Sequence, residues 1–226
     1  MRITRVNECG APVYGDCSQV VTGGVVSVEF SPQTDDGEEI SVRNMAGDLC
    51  VSVPACRTMT GIEVTINFCR VDTDLFAIAT GEEPVPDAQG NGNGFDIGDL
   101  PCESGFALEL WTGIHSETPC GVEGQAEYGY LVLPWLSSGS LGDFTVEDDA
   151  VTFSLTATAR SGSGWGVGPY DVEAQADGSP GPLITPIPTS KFGRLIKTTV
   201  APPEPECGCQ PLEGGGEGEG GALLAA

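Results

Sequence analysis

The chain has 226 residues, with 33 Asp and Glu against 9 Lys and Arg, a formal net charge of −24. Such a surface repels phosphates, and DNA or RNA binding needs cationic neutralisation of phosphates, so a nucleic-acid reader is excluded. The 39% hydrophobic share excludes a disordered chain, and 33 glycines with 17 prolines point to short strands joined by many turns rather than to long helices.

Residues 1–10 contain no apolar run and carry Cys9, so no export signal is expected there. No stretch reaches the length of a membrane span, and no Asn-x-Ser/Thr acceptor occurs. The expectation is a chain made and folded in a cytosol, large enough for one full core.

Along the chain, QVVTGGVVSVEF (19–30) predicts a hairpin turning at Gly23 and Gly24. Asp35, Asp36 and Gly37 mark a second turn, followed by EEISVRN. Residues 62–68 alternate cleanly, with Ile62, Val64, Ile66 and Phe68 on one face and Glu63, Thr65 and Asn67 on the other. One short helix is predicted over 73–80, with Asp72 as N-cap and Gly81 as the C′ glycine. Residues 82–104 are loop-like. FALELWT (106–112) and EYGYLVLPW (127–135) read as strands, the second apolar on both faces and so buried on both. Residues 141–147 and 151–160 form a predicted hairpin whose second strand sets Val151, Phe153, Leu155, Ala157 and Ala159 against small polar residues. Residues 161–190 hold no clear element, 191–200 a last strand, and 201–226 a Pro-, Gly- and Glu-rich arm. The expected organisation is therefore a mainly β domain over 1–200, a β-sandwich or barrel with one flanking helix, and a C-terminal arm over 201–226.

The search for chemistry assigns no catalytic, cofactor-binding or metal residue, and no enzyme is expected. His115 is the single histidine and sits in a polar loop. GSGWGVGPY (162–170) matches neither dinucleotide nor P-loop spacing. Asp87, Gln89, Asn91 and Gly92 mimic the start of a calcium loop, but Gly98 stands where its bidentate Glu is required. The nine cysteines are 9, 17, 50, 56, 69, 102, 120, 207 and 209. They leave three states open: a Cys₄ zinc site from the turns holding Cys9, Cys17, Cys50 and Cys56, disulfides closed under oxidising conditions, or idle thiols. Cys207 and Cys209 are too close in the chain to bridge each other, so each needs another partner.

Several stretches carry a resemblance: RITRVNECGAPVYGDCSQVV at the start, GIEVTINFCRVDTDLFAIATG, SGFALELWTGI, the run from Tyr128 to Val172, and TTVAPPEPECGCQPL. In these the chain resembles the major tail proteins, or tail tube subunits, of long, non-contractile-tailed phages of actinobacteria. Residues 213–226 lie outside the match. The resemblance implies a tail-tube-type β-sandwich or barrel, six copies per ring, and rings stacked into a tube in the virion tail, assembled in the host cytoplasm. It also implies a tape measure protein inside the tube, tail terminator and distal tail proteins at its ends, and DNA passing through without specific binding. On this reading the polar face of 151–160 or of 62–68 lines the barrel, and 82–104, 161–190 and the tail after Val200 serve as ring-to-ring arms. The rivals are a head decoration or other virion β-protein, a secreted β-sandwich binding module, and an acidic hydrolase.

Overall fold

A computed structural model describes residues 1–69, 72–89, 92–98, 104–114, 127–146 and 151–213. The strands are β1 (Arg2–Val6), β2 (Gly15–Val21), β3 (Val25–Asp35), β4 (Ile40–Arg43), β5 (Leu49–Val53), β6 (Thr58–Phe68), β7 (Val85–Pro86), β8 (Gly92–Gly94), β9 (Gly105–Ile114), β10 (Glu127–Val146), β11 (Val151–Ala159), β12 (Glu173–Ala174), β13 (Pro180–Gly181), β14 (Arg194–Thr198) and β15 (Gln210–Leu212). Among the described residues there is one helix, α1 (Thr73–Thr80), between β6 and β7. The protein is mainly β, built on a large antiparallel sheet in the order β15-β2-β1-β9-β10-β11-β6-β3, with β14 also on β10. Among the described residues no helix is long and apolar enough to cross a membrane.

The 20-residue β10 joins two halves of this sheet. Its first part lies between β9 and β14, and its second part pairs with β11. The ladder to β9 shifts register between Leu133 and Leu136, where Pro134 has no N–H to give. The two halves turn apolar faces toward one core. Ile3, Val20, Phe106, Leu108 and Leu133 come from one half, and Val64, Ile66, Phe68, Phe153, Leu155 and Ala157 from the other. The alternation read over 62–68 is observed, and over 153–159 Phe153, Leu155, Ala157 and Ala159 are buried as expected, with Ser154 buried beside them.

The helix occupies the predicted residues. Asp72 is extended and its side chain accepts the Leu75 N–H, while Gly81 is left-handed and donates its N–H to the Ala77 carbonyl. Two turns are too few to stand alone in water, and Leu75, Phe76 and Ile78 are buried in the core. The helix C-terminus lies directly on β10 at Gly139, where a Cβ would overlap the Ala79 carbonyl.

One expectation is corrected by the pairing. Residues 19–30 do supply strands, but β2 and β3 do not pair with each other: β2 lies between β1 and β15, and β3 pairs with β6. β1 takes the edge of β2, so Thr22–Gly24 carries the chain across to the other half instead of folding it back. The run 161–190, in which no clear element is expected, packs as a cover on the sheet. Trp165, Tyr170, Val172, Leu183 and Ile187 form a second core with Val6, Ala107, Tyr130 and Val132. The second apolar face of residues 127–135 needs this covering, as a strand apolar on both faces must be buried on both.

A buried ion pair ties the cover to the sheet. Arg2 and Glu109 face each other across β1 and β9, and the guanidinium donates Nε and Nη2 to the two carboxylate oxygens at 2.6 and 2.7 Å. The Tyr130 hydroxyl donates to Glu109 Oε1 at 2.5 Å. Arg2 also stacks on the Tyr170 ring, 3.2 Å from its centroid, and the Tyr170 hydroxyl meets Thr4 Oγ1 at 2.8 Å. Burial, reinforced by the Glu109 carboxylate, raises the Tyr130 phenol well above the ordinary tyrosine range. Burial raises Tyr170 too, against the opposing charge of Arg2.

Two outcomes follow. Gly139→Ala forces the strand off the helix and should lower stability by about 1–3 kcal/mol in denaturant unfolding. For the tyrosines, folded-state pKa values above the unfolded ones mean that their stabilisation is complete below about pH 10 and lost as pH rises further. Each buried phenol then contributes a fall of up to about 1.4 kcal/mol per pH unit in that alkaline window. Stability should fall with pH across this window in the parent and fall less steeply in Tyr130→Phe, where Tyr170 alone remains.

Candidate assembly face

The second half of the sheet, β10-β11-β6-β3, has one face in the core and one face outside. Cross-strand register builds three polar rows on the outer face. They are Ser27–Asn67–Ser154, Glu29–Thr65–Thr156–Ser140 and Ser31–Glu63–Thr158–Ser137. Local hydrogen bonds hold several of these groups. The Asn67 amide donates to Ser27 Oγ at 2.9 Å, Ser154 Oγ to the Asp143 carbonyl at 3.0 Å, and Ser140 Oγ to the Thr156 carbonyl at 3.3 Å. Segments 25–35, 58–68, 136–146 and 151–159 contain no Lys, Arg or His. The face is thus a plane of hydroxyls and amides with carboxylates at Glu29 and Glu63 and no cation of its own strands, Ser137 and Ser154 being themselves buried at the β10 side.

Both margins of this half-sheet are open. Among the described residues nothing pairs with the outer edge of β3, and β9 leaves β10 at Ser137. Edge strands of this length ordinarily invite a neighbour. The four strands alternate in direction, so β3 and β10 run oppositely. Apolar side chains are exposed at both margins, Val26 and Phe30 on β3 and Phe144 on β10. Beside β3 a groove of about 470 Å³ is lined by Val25, Val28, Leu110, Trp111 and Leu131 among others.

A third feature projects from between β3 and β6. The β4–β5 ribbon pairs Ile40 with Val53 and Val42 with Val51, so these four share one face, each about half exposed at 46–53%. Met45 at the tip is fully exposed. A two-stranded ribbon with a bare apolar face is marginal in water by itself. EEISVRN is expected to follow a turn, whereas β5 is not among the expected elements. The alternation in LCVSV was the signal available.

The residues singled out for chemistry do not converge. His115, Cys102 and Cys120 lie outside the described residues, as does Asn91 of the calcium-like run. Asp87 accepts the Gln89 N–H, and Gly92 belongs to β8. In GSGWGVGPY, Trp165 is buried and Gly166 and Gly168 take positive φ, as turns in the cover require. The four-cysteine grouping is not assembled. Cys17 forms a disulfide with Cys209, Cys50 and Cys56 are exposed thiols on or beside the ribbon, and Cys9 is an exposed thiol near α1. Cys209 thus finds the separate partner its spacing demanded. The described part of the C-terminal arm is docked: β15 pairs with β2, and Leu212 is buried.

Comparison with protein-family models and with curated proteins returns no match for this chain.

Proposed function

We propose that this protein is the tail tube subunit of a long-tailed phage, a structural virion protein that assembles into stacked rings and performs no catalysis. The observation that carries the reading is the half-sheet β10-β11-β6-β3, with its cation-free polar face and two open edges of opposite direction. A head-to-tail contact that closes by rotation makes a ring, and one that does not makes a filament. Rotation about an axis along the strands preserves their sense. The β10 of one copy then meets the β3 of the next antiparallel, and four strands per copy continue around the ring as a single barrel. The core-side residues Phe30 and Phe144 would be covered at each joint.

With the polar rows inward, the lumen presents hydroxyls and carboxylates to passing DNA. Phosphates find no counter-ion there, so nothing holds the duplex in place. The outward cover and the bare β4–β5 ribbon are left for contacts between copies and between rings. Six copies per ring, a tape measure protein within, and terminator and distal proteins at the ends are what the sequence resemblance implies for this role.

The purified chain at high concentration should form rings or tubes visible by negative-stain electron microscopy. Val26→Lys, placed on an exposed edge residue, should leave a folded monomer that assembles at least about tenfold less well, edge lysines being a common block to strand addition. A chain that stays monomeric and is missing from the shaft of purified particles would refute the proposal. Particles carrying Thr156→Lys should eject DNA more slowly as ionic strength falls. Ejection kinetics identical to the parent would argue against the phosphate-indifferent lumen.

A further inference from the structure

Where the C-terminal segment returns to the sheet, three metal-ligand groups from three parts of the chain meet. Cys17 is on β2, with an unusual positive φ of 52°. Cys209 immediately precedes β15, and Asp74 is in the first turn of α1. Their sulfurs and a carboxylate oxygen all lie within 4.8 Å of one another, and all three residues are half-buried. In this structure the sulfurs are joined, with Cα atoms 4.7 Å apart across 192 residues of sequence.

The carboxylate is held in place. Asp74 Oδ2 accepts the Cys209 N–H at 3.0 Å. Gly208, at φ 80°, and Gly92 pass so close that a Cβ on either would touch an Asp74 oxygen, at 3.4 and 3.1 Å. Beyond that one backbone bond the sulfur link itself gains nothing from an anion beside it, and two thiolates would be repelled by one. A divalent cation reverses both relations. The adjoining groove, about 660 Å³, adds Glu8, Glu82 and Glu83 against the single cation Arg5, a field that favours a positive ion.

We propose that the reduced chain binds Zn²⁺ here, through the Cys17 and Cys209 thiolates and the Asp74 carboxylate, with water from the groove as the fourth tetrahedral ligand. Two sulfurs on one zinc stand about 3.8 Å apart at Zn–S bonds of about 2.3 Å, a span that Cα atoms 4.7 Å apart accommodate. Binding displaces two thiol protons, so affinity rises with pH. Soft sulfur ligands select zinc over calcium or magnesium. The same two sulfurs serve either the metal or the disulfide, and in both states they fasten the C-terminal strand to β2.

The test uses the full chain. A phosphine reductant opens the disulfide: the phosphine gives two electrons, takes oxygen from water, and the two water protons complete the thiols. After the reductant is removed without air, Co²⁺ is titrated as the optical probe and displaced with Zn²⁺. A sulfur-to-cobalt charge-transfer band should appear only after reduction and vanish when Zn²⁺ is added. It should be lost in Cys17→Ser and persist in Cys9→Ser, Cys50→Ser and Cys207→Ser. Asp74→Asn retains an acceptor for the Cys209 N–H, and should weaken binding by about a hundredfold while circular dichroism of the oxidised protein is unchanged. If reduction loosens the fold, zinc should restore it. No band in the reduced chain, a band that survives Cys17→Ser, affinity untouched by Asp74→Asn, or a loosened fold that zinc leaves loose would each overturn the site.

Discussion

The long strand β10 is the constraint on which the rest of the molecule depends. It hydrogen-bonds to β9 and β14 in its first part and to β11 in its second, so both halves of the sheet are defined by their register to it. Its apolar positions serve two cores, Tyr130 and Val132 beneath the cover and Leu133 and Leu136 between the half-sheets. Its register breaks at three places: one lies farther along between Leu141 and Phe144, and the other two, around Pro134 and around Gly139, fall where the two demands meet. A residue without an N–H loosens the ladder there, and a residue without a side chain admits the helix.

From that division comes a difference in character between the two half-sheets. The half containing β1, β9 and the start of β10 is covered on both faces and stapled by the Arg2–Glu109 pair. A buried pair of this kind adds little net stability against an apolar replacement, yet leaving one partner alone costs several kcal/mol. It therefore specifies the register of β1 on β9 more than it strengthens the fold. The half containing β11, β6 and β3 is covered on one face only, and its other face and both margins remain available. This contrast between a finished half and an unfinished one is the feature on which the proposed assembly rests.

The C-terminal segment illustrates a different economy. Glu206 N–H bonds to the Val21 carbonyl, Gln19 Nε2 to the Pro211 carbonyl, and Leu212 enters the second core. With the sulfur link these contacts bring residues near the two ends of the domain together. A constraint closing so long a loop reduces the freedom of the unfolded chain more than a short one would.

Much of the local structure was legible from residue order alone. Asp72 and Gly81 bounded the helix because capping is chemistry within a single turn. The alternation of Ile62, Val64, Ile66 and Phe68, and of Phe153, Leu155, Ala157 and Ala159, told inside from outside, because a strand's period of two needs no partner to be read. The mainly β class with one helix followed from the same signals. What local order could not show was who pairs with whom. Residues 19–30 had the composition of a hairpin, but β1 competes for β2 and β6 for β3. The Gly- and Pro-rich run 161–190 shows no periodicity of its own, yet it covers a face that another segment left apolar. The union of Cys17 with Cys209 and Asp74, and the alignment of polar rows on four strands, belong wholly to tertiary structure. The sequence determined faces and turns because these arise from neighbours in the chain. Partners, register and the open edges were decided only in three dimensions, by competition among distant strands for the same hydrogen bonds and the same apolar surface.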